Sequence, residues 1–325
     1  MKALICRKLG GLNDLELADV PSAPLERDQV RLRVRACGLN FADSLMIEGK
    51  YQVKPALPFT PGMECAGEIA EVGAGVTGLR LGQRVMAFTR SGGSYAEEAI
   101  VKAELVWRIP DRMDFTTAAG FPVVYGTSHY ALTYRGSLKA GETLLVTGAA
   151  GGVGLTAVEI GKQLGARVIG AAGGADKCAV VREYGADETI DYNSESIRDR
   201  VREMTDGKGA DVVYDPVGGD AFDQALRAVN WEGRMLVVGF AAGRVQNVPA
   251  NLILVKNISV IGVVWGAQGE RDPDLIRAGI AEMMRWWEAG KLRPKIAATF
   301  PLEKANDALQ ALLSRKYAGK LVMTT

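Results

Sequence analysis

Residues 142–177 constrain the possible folds more tightly than any other stretch. They read Glu-Thr-Leu-Leu-Val-Thr-Gly-Ala-Ala-Gly-Gly-Val-Gly, then an amphipathic run, then Arg-Val-Ile-Gly-Ala-Ala-Gly-Gly-Ala-Asp-Lys. Residues 143–147 are β-branched or apolar, which suits a short strand buried on both faces. Residues 148–154 form a glycine-rich turn. Residues 155–164 read as a helix, with Leu155, Val158 and Leu164 apolar and Glu159 and Lys162 expected to face water. Residues 167–172 give a second strand. The whole is one β-α-β unit of about 30 residues, the arrangement of a dinucleotide-binding fingerprint.

Each glycine in the turn has its own reason. Gly151 lets the backbone approach a pyrophosphate, and Gly154 lets the helix pack closely on the strand. The turn residues Ala150, Gly151, Gly152 and Val153 would face the phosphates, where a helix N-terminus offers unpaired N–H groups. The first glycine of the usual fingerprint is here Ala149, so the pattern is Ala-x-Gly-Gly-Val-Gly. A glycine-rich turn without a ligand is the competing reading. The second strand ends in Gly170-Ala171-Ala172-Gly173-Gly174, with no carboxylate before Asp176 and with Lys177 after it. Without an acid at that point, nothing repels a 2′-phosphate, and Lys177 supplies positive charge. The expected cofactor is therefore NADP(H), contacted by Gly173 and Lys177. A solvated lysine on the first turn of a helix is the alternative for Lys177.

A formal net charge of +1 gives no sign of a nucleic-acid or membrane-surface partner. No run of 18 apolar residues exists, and the start of the chain is too short to serve as a signal h-region. The four cysteines (Cys6, Cys37, Cys65 and Cys178) are scattered. Reduced thiols in a cytoplasm are the economical expectation. Residues 1–110 are rich in short strand patterns, at 30–36, 67–72, 84–88 and 97–101, as in a compact, partly closed barrel. A helix is expected over 123–134. β-α alternation then continues, with strands at 189–192, 211–215, 235–239 and 258–265, which argues for a doubly wound parallel sheet. The tail from Pro273 reads as helix, extended piece, helix and final strand, returning to the first domain.

The whole chain resembles the medium-chain dehydrogenase/reductase superfamily, and within it the zinc-independent quinone oxidoreductases of the zeta-crystallin-like group. The carrying stretches are Cys37-Gly38-Leu39-Asn40-Phe41-Ala42-Asp43, Phe59-Thr60-Pro61-Gly62-Met63-Glu64, Tyr125-Gly126-Thr127, the glycine-rich turn, Asp215-Pro216-Val217-Gly218-Gly219 and Gly319-Lys320. The resemblance implies an α/β protein: a GroES-like β-rich catalytic domain (1–122 with 263–325) and a Rossmann NADP-binding domain (123–262), with the cofactor in the cleft between them. It places Asn40 near the nicotinamide, able to hydrogen-bond the acceptor oxygen, although a turn asparagine is the alternative. Asp43 would position neighbours or start a helix. Many relatives have a tyrosine one or two residues after this aspartate, where Ser44 and Leu45 stand here, which leaves Tyr51 as a candidate at the pocket. Further implied cofactor contacts are Thr127, Tyr192, Gly239, Phe240, Ala241, Val263, Val264, Trp265 and Lys320. Packing is the alternative for each aromatic.

Zinc dehydrogenases of this resemblance have Cys where Asn40 stands and Gly-His-Glu where Gly62-Met63-Glu64 stands. An amide and a thioether are poor replacements for thiolate and imidazole on zinc, so no metal is expected. His129, the only histidine, fits a satisfied ring on a helix. Without a Lewis acid, hydride transfer to a quinone or an α,β-unsaturated carbonyl is the best match, because such an acceptor carries its own electron sink. An enoyl-thioester reductase of the same fold is a second reading. A nucleotide-binding protein with little turnover, as lens crystallins of this resemblance are, is a third. The apolar strand at 258–264 would pair with its twin in a homodimer, as relatives do.

Overall fold

In a computed structural model describing residues 1–325, the apolar runs around the glycine-rich turn become the middle of a six-stranded sheet. Its order is Glu188–Asp191, Arg167–Ala172, Thr143–Val146, Ala210–Asp215, Val229–Val237, Ser259–Gly262. Every neighbouring pair is parallel. Numbered along the chain, this is the 3-2-1-4-5-6 order of a doubly wound dinucleotide fold. Leu145, Ile169, Ile190, Val213 and Met235, each from a different strand, are fully buried in one core. Complete burial of such a side chain contributes roughly 1.5–3 kcal/mol. That is why these strands read as apolar runs and not as alternations.

The chain divides into two compact units, Met1–Val123 with Pro294–Thr325, and Val124–Arg293. Residues 263–293, expected with the catalytic domain, belong instead to the second unit. Their helix Pro273–Glu288 buries Ile276, Ile280 and Met283, an apolar stripe at helical spacing. Within that unit the Trp265 indole lies against Gly126, and His129 Nε2 meets Glu282 Oε2 at 2.8 Å. The strand expected over 258–265 is shorter, Ser259–Gly262, and Trp265 opens a new helix, Trp265–Arg271. The helix expected over 123–134 runs as Pro122–His129 and then widens into a π-helical stretch, Tyr130–Arg135. Ser259–Gly262 pairs on one side only, so it is the open edge of its sheet.

The first unit is built on a seven-stranded sheet centred on the long strand Gln29–Gly38. That strand pairs antiparallel with Glu64–Val72, with Glu98–Lys102 and with the last strand, Lys320–Thr324. Val322 lies opposite Gly38 in this register, so the end of the chain is held beside residues 38–40. A separate hairpin-like pair, Lys2–Cys6 with Leu15–Asp19, packs a small core of its own. No helix is long and apolar enough to cross a membrane.

Candidate active site

Two groups of residues matter, one in each unit. In the second unit the turn after Thr143–Val146 passes through Gly148 at φ +56° and enters the helix Gly152–Gln163 with Gly151 as its N-cap. Gly154 is required by packing: a Cβ there would lie 2.3 Å from the Gly148 carbonyl oxygen. Gly151 differs, being exposed, and its Cβ would meet only that same oxygen, at 3.3 Å. No other atom beyond its neighbours in the chain lies within 4 Å of that Cβ, which leaves the backbone at Gly151 open to close approach.

The crevice of such a sheet opens where the strand order reverses, between Thr143–Val146 and Ala210–Asp215. Thr147 Oγ1 donates a short hydrogen bond to Asp215 Oδ1 there, and Asp215 Oδ2 accepts the Gly218 N–H at 2.9 Å. Burial raises the Asp215 pKa, against the hydrogen bonds that lower it. Asp215 thus holds two loops of the crevice together. Its role was not read from the sequence, where it was only part of a motif. At the next strand end, Asp191 Oδ1 accepts the N–H groups of Gly174 and Asn193 at 2.8 and 3.0 Å and shapes the loop after Ala172. Tyr192 is 38% exposed, and its ring covers Gly173: a Cβ on Gly173 would stand 3.0 Å from it. Lys177 sits half-buried in the first turn of the helix Ala175–Glu183.

The other expected nucleotide contacts are spread over the same unit. Thr127 is half-buried on the helix Pro122–His129. Gly239, Phe240 and Ala241 follow the strand Val229–Val237, with Phe240 exposed and the Ala241 N–H on the Pro216 carbonyl. Val263 is buried and Val264 exposed, while Trp265 is buried against Gly126. Glu159, expected to face water, is buried. Its Oε2 accepts the Tyr125 hydroxyl at 2.5 Å and its Oε1 accepts the Arg293 N–H at 2.7 Å, while burial raises its pKa. Both partners are too far along the chain for helical periodicity to reveal them.

In the first unit, Asn40 caps the helix Phe41–Ile47. Asp43 Oδ2 accepts the Asn40 N–H and the Tyr95 hydroxyl, each at 2.7 Å. Asp43 is fully buried, and its Oδ1 has no partner. Desolvation therefore lifts its pKa to about 7, although the Tyr95 hydrogen bond pulls the other way. Burial, and then the neighbouring Asp43, hold the Tyr95 phenol well above its ordinary range. Tyr51 is half-buried within reach of the charges on Asp43 and Arg90, and burial raises its pKa.

The amide of Asn40 is committed on both sides. Its Nδ2 donates to Glu64 Oε1 at 2.9 Å, and its Oδ1 accepts from Lys320 Nζ at 2.6 Å. Lys320 Nζ also pairs with Glu64 Oε1 at 2.6 Å, and Glu64 Oε2 accepts the Val123 N–H at 2.8 Å. The side chains of Lys320 and Glu64 are 6% and 0% exposed. Lys320, expected at the cofactor, thus has its ammonium in this buried cluster. Glu64 was not among the expected site residues. The signal for it was its place after Gly62-Met63 in the motif. The donor set does not suit zinc: Asn40 is bonded to Lys320, Met63 offers a buried thioether, and an ammonium already neutralises Glu64.

The chain matches known proteins along its whole length. The profile of the alcohol dehydrogenase GroES-like domain matches residues 26–111, and that of the zinc-binding dehydrogenases matches residues 152–281. A quinone oxidoreductase-like protein 2 homolog from Nematostella vectensis is 44% identical over 100% of this chain and 89% of its own. A quinone oxidoreductase from Pseudomonas aeruginosa is 36% identical over 97% of this chain and 96% of its own. The solved structure of Escherichia coli quinone oxidoreductase complexed with NADPH superposes with a TM-score of 0.93 at 29% identity, covering all of both chains.

Proposed function

The chain belongs to the quinone oxidoreductase family of the medium-chain dehydrogenase/reductases, and from that premise we propose an NADPH-dependent reductase that passes hydride to quinones or α,β-unsaturated carbonyls without zinc. The observation that carries the zinc-free part is the Asn40 amide held between Lys320 and Glu64, at the position where zinc relatives have a thiolate. Bound NADPH supplies the hydride. The glycine-rich turn and its helix N-terminus hold the pyrophosphate through backbone N–H groups, with Ala150, Gly151, Gly152 and Val153 at the turn. Gly173, Lys177 and Tyr192 take the adenosine end, where no carboxylate at the end of Arg167–Ala172 repels a 2′-phosphate. Thr127, Gly239, Phe240, Ala241, Val263, Val264 and Trp265 are assigned to the rest of the nucleotide on the strength of the resemblance.

Asn40 Nδ2 carries a second hydrogen beyond the one given to Glu64. That hydrogen is the donor for the acceptor oxygen as it gains charge. Asp43 holds the Asn40 backbone, and Tyr51 is the side chain assigned to the acceptor pocket.

The test is a titration of metal-stripped protein with NADPH and with NADH, followed by mixing with 1,4-benzoquinone, 3-buten-2-one or crotonyl-coenzyme A. Tight NADPH binding, loss of the reduced-nicotinamide absorbance with the first two acceptors and no gain from added zinc are expected. Turnover of the thioester alone would make this an enoyl-thioester reductase. Binding without turnover of any acceptor would point to the nucleotide-binding role.

A further inference from the structure

Lys320, Glu64 and Asn40 come from three distant parts of the first unit, and their charges leave one arrangement for the amide. An ammonium only donates and a carboxylate in an ion pair only accepts. Asn40 Oδ1 must therefore face Lys320, and Nδ2 must face Glu64, as the distances of 2.6 and 2.9 Å show. The reversed amide would set oxygen against carboxylate and N–H against ammonium in a site almost closed to water. Asp43 fixes the other end of the residue by accepting its backbone N–H at 2.7 Å. The residue thus cannot swing, and its amide cannot flip.

We propose that Glu64 and Lys320 are a positioning pair for hydride transfer: they lock Asn40 so that it presents N–H, and never C=O, to the substrate. The consequence is that the amide can only donate at this position: it bonds the lone pair of an oxygen such as that of a carbonyl or quinone, and it cannot take the proton of a hydroxyl. Lys320 on Oδ1 and Glu64 on Nδ2 form an ion pair, so what they supply to the amide is a fixed orientation and not a net charge. This inference rests on the reading of Asn40 as the donor to the acceptor oxygen.

The experiment compares Asn40→Ala with the double substitution Glu64→Gln and Lys320→Met, using 1,4-benzoquinone and NADPH. Removing both charges together leaves neither member of the pair as an unpaired buried ion, and their opposite effects on Asp43 are removed together, so the double variant keeps its melting temperature and its Kd for NADPH. With the clamp gone, the Asn40 amide is free to adopt either orientation. The double variant is then expected to lose about a hundredfold in kcat, near the loss in Asn40→Ala, with KM changed far less. A pair that serves only as a buried structural bridge would leave kcat at the wild-type value once both charges are gone. That outcome, or a change confined to KM, overturns the positioning role while leaving Asn40 as the donor. An unchanged kcat in Asn40→Ala would instead overturn the reading of Asn40 itself, and the positioning role with it. If the double variant does not fold, Glu64→Gln with Lys320→Gln replaces it. Neutral amides on both sides then offer Asn40 either end and leave no member of the pair charged, so kcat falls with the NADPH Kd unchanged, and a wild-type kcat overturns the proposal.

Discussion

Asp43 has no exposed surface and leaves one carboxyl oxygen without a partner, so its charge is costly to hold. Its pKa rises from an ordinary 3.8 to about 7. Below the ordinary value, folded and unfolded chains are both protonated there. As pH climbs from about 4 to about 7, the unfolded chain loses that proton first, so the folded state is destabilised, by roughly 4 kcal/mol across the window. Above pH 7 the penalty is constant. Asp43→Asn should remove this slope. The check is chemical denaturation of both proteins from about pH 4 to about pH 8; curves that run parallel would show that Asp43 does not titrate in this way. Lys177 carries a second prediction at the same scale. Lys177→Ala should weaken NADPH about tenfold or more and leave NADH nearly unchanged in a fluorescence titration. Equal weakening of both would mean that Lys177 does not read the 2′-phosphate.

At the scale of the element, the β-α-β unit separates two glycines that look alike in the pattern. Gly154→Val would drive a side chain into the Gly148 carbonyl and the backbone of Ala149, all within 3 Å of the new Cβ. The second unit should lose several kcal/mol, read as a lower melting temperature without any ligand. Gly151→Val meets only one atom at 3.3 Å, in a backbone at φ −73° that valine tolerates. It should melt near the wild type but bind NADPH far more weakly. If both variants melted alike and bound alike, the turn would not be the pyrophosphate cradle. Local pattern was enough to read this element: residues 143–147 and 167–172 were expected as strands, and Thr143–Val146 and Arg167–Ala172 are observed. Glu159 was misread because helical periodicity knows nothing of Tyr125 and Arg293, which close over it.

At the scale of the molecule, Ser259–Gly262 leaves one row of backbone groups unpaired at the sheet edge, and Leu254, Val255 and Val264 nearby are exposed. Such an edge invites pairing with a second copy unless charge or a bulge guards it. A homodimer is the expected state in light scattering at micromolar concentration, and Ile261→Lys should shift it toward monomer. A wild type that is already monomeric would remove the dimer from the reading. The tail shows where sequence alone misassigned a segment to a unit. The helix expected from Pro273 through Trp287 is observed as Pro273–Glu288, but which core its apolar stripe joins was settled by long-range packing.

The sequence by itself determined what neighbours along the chain decide: the parallel sheet, the glycine-rich turn, the missing carboxylate at the second strand end and the poor zinc ligands at 40 and 63. These depend on periodicity, on φ and close approach at glycine, and on side-chain chemistry, all local quantities. Only the tertiary structure decided that Asn40 would meet Glu64 across 24 positions and Lys320 across 280. The antiparallel register of Lys320–Thr324 on Gln29–Gly38 sets that meeting, with the Leu39 N–H on the Leu321 carbonyl at 3.0 Å. Register is a property of two strands together, and neither strand encodes its partner alone.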